Sequence, residues 1–363
     1  MFSHNGKISV RQMMILLILQ MFNMNLLIMP RVGAYYWGRS GYIIAIISIV
    51  VGVVYLLGVT SLTIRFLGRT LVEIAENIFP RGIAWIVVVL FAVKLVVSAG
   101  LELRMFGELI SQIMLQKTPT VVIMIIITLA AAYLVKSGIE ATGRMGEIVI
   151  FFMGIPLFIA LGISIFRVDY KEVLPFVPIS RNDLWVGTGL TSCIFAPIEI
   201  LLMLTGLMDK PNKCRKAGIG AIITIGILQA IITLLCIAQN GVNEVRRQMW
   251  PTIVLMKSIG MNNTIAENQE ILMLIIWIFS AYMYVGISIY VVSLISSRTC
   301  KFKRENVFVL PVIPIILLVA LYPNDLGAVY EYYLRFEYYF GIWFLIPIPL
   351  FLLLVAKIRG IKG

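Results

Sequence analysis

Thr191-Ser-Cys-Ile-Phe-Ala-Pro-Ile-Glu199 places two hydroxyls, a thiol, a proline and an acid inside the otherwise apolar run from Leu184 to Met208. Nearer the start, Asn23-Met-Asn25 interrupts a second run, Met13 to Met29, and Pro30 follows at once. Helical backbone in lipid satisfies its own hydrogen bonds, so an interruption survives only where protein, water or ligand supplies partners. If the chain is two inverted halves of five spans, these segments are the first span of each half, where such folds place a small-molecule site. The fold expected is therefore all-α and polytopic: about ten transmembrane helices in an inverted 5+5 repeat, with helices 1 and 6 discontinuous.

Composition agrees with a membrane class. Hydrophobic residues make up 60% of the 363 and charged residues only 13%, and the mean hydropathy is +0.98. A bilayer core of about 30 Å needs roughly 20 apolar residues per helix. Runs of that kind recur at 12–32, 41–62, 83–114, 119–136, 144–166, 184–208, 217–239, 269–297, 306–322 and 339–357. Short connections leave no room for a soluble domain, so the chain reads as one transmembrane domain, with a first repeat over 1–166, an outer connector over 167–183 and a second repeat over 184–363. The first run follows Lys7 and Arg11 but is longer than a signal-peptide core and lacks a small-residue cleavage site, so it reads as a retained span.

The net charge of +12 sits in loop clusters rather than in a stripe beside stacking aromatics, which argues against nucleic acid. With the N-terminus inside, eighteen Lys and Arg fall on the inner side, among them Lys210, Lys213, Arg215 and Lys216, against ten on the outer side. The positive-inside rule then puts both termini in the cytoplasm, and the surplus charge serves topology and contact with the lipid bilayer. The cysteines Cys193, Cys214, Cys236 and Cys300 show no C-x-x-C spacing, and His4, the sole histidine, lies in a polar tail. No metal, cofactor or disulfide is expected, and without a nucleophile–base pair neither is an enzyme.

Asn23, Asn25, Thr188, Thr191, Ser192 and Cys193 are the candidate ligand-binding side chains at the interruptions. There, freed N–H groups and the positive end of a half-helix favour a carboxylate, while exposed carbonyls favour a cation. Glu199, an acid at membrane depth, could bind a cation or an ammonium group or take up a proton. On the third span Lys94, Ser98 and Glu102 recur every four residues along one face, so Lys94 could pair with a carboxylate in place of a bound cation. Tyr282 and Tyr284 on the eighth span are further candidates; residues two apart point differently, so at most one lines a cavity. Arg104 with Glu108, and Glu140 with Arg144 and Glu147, read as gating or structural ion pairs nearer the membrane surfaces. Two amphipathic segments, Thr63 to Pro80 and Val242 to Ile259, read as helices lying along the membrane. Gly52, Gly58, Gly154, Gly162, Gly220 and Gly226 are expected at close helix contacts, and Trp37, Trp85 and Trp343 in interfacial belts.

Four segments carry a family resemblance: Ile8-Ser-Val-Arg-Gln12, Gly138-Ile-Glu-Ala-Thr-Gly-Arg-Met-Gly-Glu-Ile148, Leu174-Pro-Phe-Val-Pro178 and Trp250-Pro251. In order and spacing the chain resembles the endospore germination B subunits, permease-like proteins of nutrient germinant receptors within the amino acid–polyamine–organocation superfamily. It departs from them at Ala266-Glu-Asn-Gln-Glu270, where the family tends to carry an arginine between two acids. The resemblance implies a ten-span fold whose first and sixth helices bind a small nutrient, often an amino acid, in the inner spore membrane. It also implies A and C subunits as partners. A working amino acid transporter shares the same site, and a membrane anchor without ligand is the reading from another class.

Overall fold

The computed structural model describes residues 6–174, 180–260, 269–302 and 304–361. His4, Pro175 to Pro178 of the third family segment, Ala266 to Asn268, Lys303 and Lys362 lie outside them. Among the described residues the regular structure is all helix, apart from one isolated parallel bridge between Ile8 and Met208.

In chain order the helices are α1 (Val10–Met21), α2 (Met24–Trp37), α3 (Gly41–Arg65), α4 (Leu71–Ile78), α5 (Arg81–Ile113), α6 (Thr120–Lys136), α7 (Gly138–Arg167) and α8 (Arg181–Ser192). A 3-10 stretch, Cys193–Ile200, leads into α9 (Leu201–Leu204). There follow α10 (Cys214–Arg247), α11 (Pro251–Gly260), α12 (Gln269–Thr299), α13 (Val309–Leu321) and α14 (Leu326–Phe336). A π-helical turn, Glu337–Gly341, then joins α15 (Ile342–Leu345) and α16 (Pro347–Ile358). Among the described residues seven helical segments are long and apolar enough to cross a membrane; Val10–Met21, Thr120–Lys136 and Glu305–Leu321 are apolar but shorter. Large apolar side chains such as Ile126, Phe152, Phe158 and Phe166 stand exposed on α6 and α7, as suits a surface solvated by lipid rather than water.

The two interruptions take different forms. Phe22 (φ −79°, ψ 65°) and Asn23 (φ −116°, ψ −170°) leave the helical region, so α1 and α2 are separate helices. At 193–200 the backbone stays right-handed and tightens into 3-10 geometry around Pro197. Because 3-10 winding keeps i→i+3 bonds, this second segment holds its own backbone and is not unwound. Its Phe195 fits a slot that exists because Gly52 of α3 lacks a side chain, with the Phe195 ring 2.8 Å from where a Cβ would stand.

Four other expectations change. The segment Thr63 to Pro80 divides into the end of α3 and the short helix α4, whose apolar face (Leu71, Ile74, Ala75, Ile78) is buried against protein, not laid on lipid. Val242 to Ile259 divides into the end of α10, beyond a kink at Gly241, and α11. Trp37 is buried, its indole N–H donating to the Asp183 carbonyl at 3.4 Å, instead of lying in an interfacial belt. Gly162 meets nothing and Gly154 only the Phe158 ring at 3.9 Å, so neither marks a helix contact. Gly58 does: a Cβ there would meet the Leu345 carbonyl oxygen at 2.5 Å. Backbone cannot step aside as a flexible side chain can, so Gly58→Ala should destabilise by about 1–3 kcal/mol, read as a lower unfolding temperature in detergent.

Candidate functional site

Three long segments meet around the first break. Several backbone groups at the break have protein partners. Asn23, in extended conformation, caps α2 by accepting the Asn25 N–H on its side-chain oxygen at 3.0 Å, a role for which asparagine is among the best residues. The Met24 N–H donates to Oε1 of Glu102 on α5 at 2.6 Å. Ser280 of α12 donates to the Phe22 carbonyl. Pro30 has no N–H for the Leu26 carbonyl four residues back, and the Thr252 hydroxyl of α11 donates there instead, at 3.1 Å.

One turn and two turns before Glu102 on the same helix lie Ser98 and Lys94, and here the sixth and tenth segments enter. Lys94 pairs with Glu199 in the 3-10 stretch, and its Nζ lies 3.1 Å from Oε2 of Glu337 on the π-helical turn. Ser98 Oγ donates to Oε1 of Glu337 at 2.6 Å. Lys94, Glu199 and Glu337 are each no more than 3% exposed. Such a cluster is stable only as a set: removing water from an ion costs several kcal/mol, and the partners must return it. Glu102 is wholly buried, and its second oxygen Oε2 has no hydrogen-bond partner. Counting Glu102, three carboxylates are buried in this region, and two of them, Glu199 and Glu337, lie against Lys94.

Asn25 donates to the Tyr333 hydroxyl at 3.1 Å, and Tyr333 shares a hydrogen bond with Tyr284. Tyr284 is buried while Tyr282 is half-buried, which separates the two as their spacing predicts. Phe22 stacks on Trp277 with ring centres 4.5 Å apart, closing the apolar side of the break. On the other interrupted helix, Ser192 shares a 2.9 Å hydrogen bond with Tyr55, and the Cys193 thiol points to the Gly189 carbonyl. Thr188 and Thr191 are buried with hydroxyls that meet no partner.

Two of the expected ion pairs lie away from this cluster, and Glu147 of the expected trio is found beside Arg11. Arg104 and Glu108 lie 3.0 Å apart, Glu140 pairs with Arg144, and Glu147 sits 3.5 Å from Arg11, tying the start of α1 to α7. Glu337 is absent from the expected site because the tenth apolar run begins at 339, two residues too late. Its signal in the sequence is an acid set among Phe336, Tyr338, Tyr339 and Phe340. Among the described residues no cluster of His, Cys, Asp or Glu has the geometry to hold a metal ion.

A family model described as spore germination protein matches residues 7–328. Spore germination protein A2 of Bacillus subtilis (strain 168) is 25% identical over 223 residues, which cover 61% of this chain and 60% of that protein. Among solved structures, the chain is similar to Mhp1, a nucleobase-cation-symport-1 family transporter, in a closed conformation with bromovinylhydantoin bound. The TM-score is 0.64 at 13% identity, over 99% of this chain and 79% of that one. That likeness is one of fold: an all-helical transporter architecture.

Proposed function

The chain belongs to the spore germination permease family, and from that premise we propose that it is the nutrient-sensing, permease-like subunit of a germination receptor. It binds an amino acid or a similar small nutrient between the α1–α2 break, α5 and the Thr191–Glu199 segment, and binding triggers germination. It sits in the inner spore membrane with both termini cytoplasmic and works with A and C subunits. Its two five-helix halves, 1–166 and 184–363, are related by inversion across the connector 167–183.

The observation that carries this reading is the buried set Lys94, Glu199 and Glu337, with Glu102 bonded across the break. Ionisable residues at membrane depth are rare and mark ligand or ion paths. A nutrient that prefers one of two arrangements of this set shifts the population toward it, and partner subunits read the shift.

Replacing Thr191 and Ser192 together by leucine tests the proposal in spores. Germination in a nutrient mixture should fall at least tenfold, with protein levels unchanged. Normal germination at normal protein levels would leave the chain as an anchor without ligand. The likeness to a cation symporter fold supports a second reading, an ion-coupled amino acid transporter. Robust, ion-dependent accumulation of labelled amino acids in proteoliposomes of the isolated chain would favour transport over sensing alone.

A further inference from the structure

The first break offers a bound molecule a particular polarity. A carboxylate is the expected guest of a helix N-terminus, yet the donors at the start of α2 are taken. The Met24 N–H is held by Glu102, the Asn25 N–H by the Asn23 side chain, and the Leu26 N–H by the Asn23 carbonyl at 3.1 Å. A carboxylate arriving here would find no free N–H among these and would stand beside the acceptor oxygens of Glu102.

Glu102 itself is short of partners. It is 0% exposed, it accepts one bond on Oε1, and Oε2 accepts none. Lys94, the neighbouring cation on α5, is engaged by Glu199 and Glu337. A carboxylate at membrane depth without a cation is expensive. The same break is the C-terminal end of α1, whose dipole favours positive charge, and the side-chain oxygen of Gln20 in its last turn is a buried acceptor without a partner. An ammonium group, which has three donors and no acceptor, matches this inventory.

We propose that Glu102 receives the ammonium group of a primary-amine ligand at the first helix break, so that the nutrient enters the α1–α2 junction by its cationic end and not by its carboxylate. This rests on the nutrient-binding reading and fixes the ligand's orientation within it. The site takes primary amines as a class, and the role first open to Glu199 passes to Glu102 because Lys94 already occupies Glu199.

The test is thermal unfolding of the full chain in lipid nanodiscs, titrated with n-propylammonium, propionate and tetramethylammonium. Propylammonium should raise the unfolding temperature saturably. Propionate, which lacks the cation, and tetramethylammonium, which lacks N–H donors, should not. Glu102→Gln should raise the half-saturating concentration of propylammonium at least tenfold. If that variant does not fold, Glu102→Asp is read instead, with a shift of several-fold expected. A saturable response to propionate with none to propylammonium overturns the proposal, as does an unshifted response in the variant. A parent protein that responds to pH but to no amine also overturns it, because Glu102 then holds only a proton. None of these results touches the germination role, which stands or falls on the Thr191 and Ser192 double variant in spores.

Discussion

Lys94→Met is expected to destabilise the folded chain by about 3–5 kcal/mol, the size seen when one partner of a buried ion pair is removed and the other charges stay. The methionine fills much of the volume of the lysine stem, so packing contributes little to the loss. What remains is Glu199 and Glu337, both buried, with no cation between them. The measurement is the unfolding temperature in detergent together with the yield of monodisperse protein. A triple variant, Lys94→Met with Glu199→Gln and Glu337→Gln, removes every charge of the set and should recover most of the loss, since a neutral buried cluster escapes the desolvation term. Lys94→Met within about 1 kcal/mol of the parent would mean that the two acids do not depend on Lys94 for their charge balance, against an expected loss of about 3–5 kcal/mol.

Gly341→Ala should rank second and act on the same cluster from outside. Gly341 closes the π-helical turn that carries Glu337, and π-turns inside helices collect at functional sites. A Cβ at 341 would run into the Glu337 carboxylate and stand 3.3 Å from Cε of Lys94. Overpacking of this kind costs about 1–3 kcal/mol, and relief by moving Glu337 breaks its contacts with Lys94 and Ser98. The expected result is a lower unfolding temperature and, in spores, weakened germination at normal protein levels. Combining Gly341→Ala with Glu337→Ala gives the clash room, so the double variant should be no less stable than Glu337→Ala alone. Strictly additive losses would show that the glycine acts on something else.

The membrane class, the all-helical fold and the place of both interruptions were legible from hydropathy, because a span is a property of local composition. Lys94 and Glu199 were legible for a related reason: a charge inside an apolar run stands out wherever it pairs. Their pairing with each other was not, since nothing local to either residue points to a partner so far along the chain. Glu337 escaped because a polar-aromatic stretch, Tyr332 to Tyr339, blurs the edge of the tenth run, and the π-turn that brings the acid inward leaves no periodic signature. The character of the interruptions was likewise out of reach. Proline and hydroxyls at 191–199 suggest an opening, yet tightening to 3-10 winding meets the same constraint without exposing the backbone. Asn23 produces the true break because its side chain can cap the next helix. The acceptor that then completes the junction, Glu102, comes from 78 residues away.

The short bridge at residues 8 and 208 has a mechanical meaning. The Ile8 N–H donates to the Leu207 carbonyl at 2.9 Å and the Asp209 N–H to the Ile8 carbonyl at 3.0 Å, so the strand leading into α1 is stitched to the segment leaving α9. The two interrupted helices are thus riveted together at one end, while the broken middle of the first is held by replaceable side-chain contacts. Rods joined at one end constrain each other least at the other, so this rivet fixes the register of the two helices and leaves the junction to the side-chain bond of Glu102.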